Sequence, residues 1–185
     1  MKELGLQELL RYALSGGIFI ASVLMMYPSA ACSVGRIDGA REATLILGSV
    51  LLVGTLIYNF HRALLYPVLF RPISLLALPF TNRTWWLFFP WRPSKAELDI
   101  DHWRWSRTPE HRRRWDEWGA QTHFLYCAAW AMLASLWVGK YVEGPPNYQV
   151  RYLCWILFGV SLFAGVVNNY RLLYSINEER KLRPL

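Results

Sequence analysis

Residues 118–139 read WGAQTHFLYCAAWAMLASLWVG, 22 consecutive positions without Asp, Glu, Lys or Arg. About 20 apolar residues in a helix cross the roughly 30 Å hydrocarbon core of a bilayer. Nothing in the run alternates with the period of two that a barrel strand requires. Cys127, Ala131, Ser135 and Gly139 repeat at four-residue spacing and form a stripe of small residues, with Trp130, Leu133 and Trp137 on the opposite side. Such a stripe lets a neighbouring helix backbone come close, which drives helix association in lipid.

Working outward, three further runs lack charge: 12–35, with its apolar heart at 13–27, then 43–61 and 152–170. The chain has 185 residues, 54% of them apolar and only 18% charged, against about 25% charged in soluble domains. The fold class expected is therefore all-α: a polytopic membrane protein with four transmembrane helices in two antiparallel hairpins. A cytoplasmic, Trp/Arg-rich interfacial segment separates the second and third spans. The divisions expected are 1–67 for the first hairpin, 68–108 for the connecting segment and 109–185 for a second hairpin whose helices extend into the cytoplasm. Gly17 and Ala21 on the first span and Ser161 and Gly165 on the fourth add to the small-residue packing positions. They serve the bundle itself or a subunit interface, and four short helices enclose so little that a homo-oligomer is expected.

Lys and Arg set the orientation. With both termini in the cytoplasm, sixteen of the 20 basic residues fall inside, and Arg36, Arg41, Lys140 and Arg151 remain outside. That bias points to an inner, plasma-type membrane of a prokaryote with N- and C-termini cytoplasmic. The net charge of +7 is then an attraction to anionic headgroups and needs no nucleic acid to explain it. Cys127 and Cys154 fall inside spans and Cys32 alone lies outside, so no intramolecular disulfide is expected.

Thr108-Pro109-Glu110 has the form of a helix start: a capping hydroxyl, proline at the first helical position and an acid in the first turn. A helix is expected from Pro109 through the third span to about Val142. Gly144-Pro145-Pro146-Asn147 reads as an outer turn, with the fourth span starting near Tyr148 and continuing through Arg180. The second span is expected to stay helical until Pro67. Residues 75–80 and 85–89 read as interfacial, with a re-entrant loop as the alternative.

Seven of the ten Trp lie between Trp85 and Trp118, interleaved with Arg. Trp and Arg dominate binding hot spots. Trp103, Arg104, Trp105, Arg107, Arg112, Arg113, Arg114 and Trp115 are the candidate partner-binding residues. Successive helical residues turn by about 100°, so Arg112, Arg113 and Arg114 cannot all reach lipid headgroups from one helix face. The partners expected are membrane lipid, further copies of the chain and a cytoplasmic protein, with a nucleotide or nucleic acid as the alternative ligand.

No span carries an acid or a base at mid-membrane, which argues against a proton-coupled transporter, a voltage sensor and general acid–base catalysis inside the membrane. Asn59, Asn168 and Asn169 are the polar residues within the spans, suited to helix contacts or to a pore. Asp99, Asp101, His102, Glu110 and His111 match no metal-ligand spacing, so no metal is expected. No cofactor is expected either; haem held by His61 and His123 is the alternative. The function expected is a non-enzymatic accessory, sensor or effector subunit that docks a cytoplasmic partner or signal, by analogy of architecture in prokaryotic stress or antiviral defence. The alternatives are an oligomeric pore and a haem-binding electron-transfer subunit.

Overall fold

A computed structural model describes residues 4–30, 39–70, 95–142 and 144–182. Among these the chain is 92% helical and has no strand, the form in which a segment answers its backbone N–H and C=O groups internally. The elements are α1 (Leu4–Met26), α2 (Ala40–Phe60), a π-helical stretch (His61–Phe70), α3 (Lys95–Trp105), α4 (Pro109–Val138), a short 3-10 turn (Gly139–Tyr141) and α5 (Tyr148–Leu182). Three stretches are long and apolar enough to cross a membrane: Ala43–Val68, Pro109–Tyr141 and Tyr148–Leu182. The apolar part of α1, Tyr12–Met26, is shorter. The protein is therefore membrane-integral, with three helices of spanning length. The expected interfacial segments at 75–80 and 85–89 lie outside the described residues.

Two compact units are present: Met1–His61 with Phe124–Leu162, and Arg62–His123 with Phe163–Leu185. In the first, α1 crosses α2 in backbone contact. A methyl group built on Gly16 would stand 1.8 Å from the Val50 carbonyl oxygen, and one on Gly54 would stand 1.8 Å from the Tyr12 carbonyl oxygen. Only glycine fits at either position. A methyl on Gly17 meets nothing within 4 Å, and Ala21 is exposed, so the close approach is made one residue before the position marked in the sequence. Tyr12 and Tyr58 seal the crossing edge to face, with ring centroids 5.1 Å apart.

The small stripe of α4 lies inside this unit. Cys127, Ala131 and Ser135 are buried, and the first two pack with Ile57, Tyr58, Ile18, Phe19 and Val53. The Ser135 hydroxyl donates to the Met132 carbonyl at 2.7 Å. A methyl on Gly139 would come within 2.5 Å of the Tyr27 ring, so this glycine too is held by close approach. Met26, Tyr27, Leu136 and Cys154 form a second apolar cluster nearby. Over the apolar windows, 56% of the α4 stretch is buried, against 11% for each of the α2 and α5 stretches. Thr44 and Ser49, exposed on α2, return their hydroxyls to the carbonyls four residues back at 2.7 and 2.8 Å, so neither needs an outside partner in lipid.

Local chemistry sets the helix ends. Thr108 caps α4: its side-chain oxygen receives the His111 N–H at 3.5 Å and its carbonyl the Arg112 N–H at 3.1 Å. Asn147 caps α5, accepting from the Gln149 and Val150 N–H groups at 3.1 and 3.3 Å. The chain stays helical through Pro67, as expected, but the α-helical geometry of α2 gives way at His61 to a π-helical stretch that runs to Phe70. Proline at 67 lies inside that stretch; it has no N–H to donate, and its ring crowds the carbonyl four residues back, which a wider turn relieves.

Candidate docking site at the charged end of the long helices

In the second unit α3 is clamped onto α4 and α5. Ile100 and Trp103 of α3 pack with Trp115 of α4 and with Leu172 and Ile176 of α5, and Trp118 lies against the cluster. The pattern is amphipathic: positions 100 and 103 face in, while Leu98, Asp99, Asp101, His102 and Trp105 face out. Polar contacts fix the register. The Arg104 guanidinium donates to Asp116 at 2.8 Å and stands 3.7 Å from Asp101. His111 reaches Glu179 at 2.8 Å, tying α4 to α5.

A closed polar ring completes the α4–α5 contact. Trp118 Nε1 donates to Asn168 Oδ1 at 2.6 Å, Asn168 Nδ2 donates to Thr122 Oγ1 at 2.8 Å, and Thr122 donates to the Trp118 carbonyl at 3.0 Å. Each donor and acceptor is used in the one sense that satisfies all three side chains.

The eight residues marked in the sequence divide by role. Trp103 and Trp115 are core, 1% and 3% exposed. Arg104 holds the corner together through Asp116. Arg107 lies over the Trp103 ring at 4.5 Å and Arg114 over Trp115 at 5.9 Å. Arg113 pairs with Glu117 on its own helix and stays open to solvent. Trp105 is 72% exposed, with the Arg112 guanidinium 5.2 Å above its ring. Composition located this cluster. It did not reveal the inward turn of two tryptophans, nor Asp116 and Glu179 as partners, because those pairs join positions 12 and 68 residues apart.

Of the polar span residues, Asn59 is exposed, Asn168 is engaged in the ring just described and Asn169 is buried. Ser161 is half-buried and Gly165 buried. His61, in the first unit, is fully buried. It receives the Trp130 indole N–H on Nδ1 at 3.1 Å and lies tilted against Tyr126, with centroids 4.9 Å apart. An indole only donates, so Nδ1 is the acceptor and a neutral ring carries its proton on Nε2, the nitrogen that would otherwise be open to an iron. His123, in the second unit, packs against Tyr66 at 5.3 Å. Among the described residues no group of three or more His, Cys, Asp or Glu is placed to hold a metal.

Compared with protein-family models, with curated proteins and with solved structures, the chain matches none.

Proposed function

We propose that this chain is a non-enzymatic, oligomeric membrane protein of four spans. It acts as an accessory, sensor or effector subunit that docks a cytoplasmic partner with α3 and the charged end of α4. The observation that carries this reading is Trp105. It is a large indole left 72% exposed at the tip of a helix that the aromatic cluster and the Arg104–Asp116 ion pair hold in place. A lipid anchor needs no such platform, whereas an interface hot spot needs a pre-organised aromatic with an arginine beside it. The lysine and arginine bias supports a cytoplasmic location for this end. Defence against stress or viruses is the biological setting proposed, by analogy of architecture.

The pore and haem readings draw less support. The Asn168 amide is already engaged by Trp118 and Thr122. Nδ1 of His61 is an acceptor from Trp130, which disfavours ligation through Nε2.

In-cell photo-cross-linking tests the docking reading. A photoreactive phenylalanine analogue at position 105 should trap a discrete protein adduct, and the same group at exposed Phe163 should trap lipid. The joint replacement of Arg112, Arg113 and Arg114 by Gln should remove the adduct while membrane insertion and oligomer size stay unchanged. Lipid adducts alone at both positions would sink the reading.

A further inference from the structure

Resting on the docking reading above, the geometry points to the chemistry of the partner: an acidic protein segment that places a carboxylate on the edge of the Arg112 guanidinium and an aliphatic neighbour on the Trp105 ring.

Five of the nearby acids are engaged by other side chains, while Asp99 and Glu110 stand exposed. Asp101 and Asp116 face Arg104, Glu117 faces Arg113, Glu179 faces His111 and Glu178 faces Lys181. Among the described residues Arg112 pairs with no carboxylate; it lies on the Trp105 ring instead. A guanidinium held over an indole still has N–H groups to offer a ligand, and the cation–π contact restrains the side chain before anything binds. That planar fork matches a carboxylate in two parallel hydrogen bonds. The exposed indole beside it suits an apolar side chain, so one short segment carrying both groups satisfies the pair.

Depth favours protein over lipid. Arg112 lies six residues before Trp118, where the uncharged run begins, and that is about 9 Å of helix. The headgroup layer adds only about 5–8 Å to each side of the hydrocarbon. With the hydrocarbon edge set at Trp118, Arg112 and the Trp105 ring against it stand at the outer limit of the headgroup layer.

The test uses the full chain in nanodiscs of neutral phosphatidylcholine, with 5-fluorotryptophan incorporated and the Trp105 fluorine resonance assigned by Trp105→Phe. Hexaglutamate is the probe. The Trp105 resonance should shift saturably, the affinity should fall about tenfold or more in Arg112→Gln, and Arg112→Lys should restore only part of it. Raising the salt should weaken binding, as screening demands. An unmoved resonance, or an equal shift in Arg112→Gln, overturns the proposal. So does a shift produced by phosphatidylglycerol nanodiscs and not by hexaglutamate, which would assign the pair to lipid phosphate. A protein cross-link at position 105 without hexaglutamate binding leaves docking standing and removes the acidic partner. Loss of the cross-link together with binding of hexaglutamate does the reverse.

Discussion

Adjacent glycines on α1 should respond to the same substitution with opposite sign. Gly17→Ala adds a methyl that meets nothing within 4 Å, so the change acts through helix propensity alone and stabilises by up to about 1 kcal/mol. Gly16→Ala puts that methyl 1.8 Å from the Val50 carbonyl oxygen. Carbon and carbonyl oxygen come no closer than about 3.3 Å in favourable contacts, so α1 and α2 must separate by about 1.5 Å. A gap of 0.5–1 Å already forfeits a quarter to a half of each dispersion contact. The crossing therefore opens, and the expected cost is at least about 1–3 kcal/mol, the range for overpacked cores. SDS-induced unfolding of each variant, followed by far-ultraviolet circular dichroism, gives the comparison. If Gly16→Ala proves as stable as Gly17→Ala, the two helices do not touch at Gly16 and Gly54.

Trp130→Phe removes the donor to buried His61 and should cost about 1–3 kcal/mol in the same assay; adding His61→Phe, which removes the acceptor as well, should recover much of the loss, and an additive double variant would rule out the bond. Trp103→Ala empties the centre of the α3 clamp and should cost about 3–5 kcal/mol locally, seen as faster amide hydrogen exchange across 95–105 with α2 unchanged; slow exchange throughout α3 would show that the cluster does not hold it.

The start of α4 could be read directly from the chain because capping is local: Thr108, Pro109 and Glu110 carry the signal within three positions. The same holds for Asn147 before α5, since its side chain answers N–H groups two and three residues on. The crossing of α1 and α2 was not legible at the level of Gly16 against Gly17. Which glycine faces the neighbour depends on the rotation of a helix about its own axis, and one residue is a turn of about 100°. The Trp/Arg cluster was legible as a region and not as a surface. Trp103 and Trp105 differ by two positions on a short helix, and only the packing of Trp115, Leu172 and Ile176 decides which of them is hidden.

The ring of Trp118, Thr122 and Asn168 acts like the pawl of a ratchet. Sliding α5 along α4 by a single residue would carry Asn168 about 1.5 Å along the axis and about 100° around it, breaking both of its hydrogen bonds in one step. Turning the amide over in place fails as well, because it would set an NH2 group against the indole N–H. Continuous slippage is thereby barred, and any shift that keeps the ring closed must carry the charged ends of these two helices together as one piece.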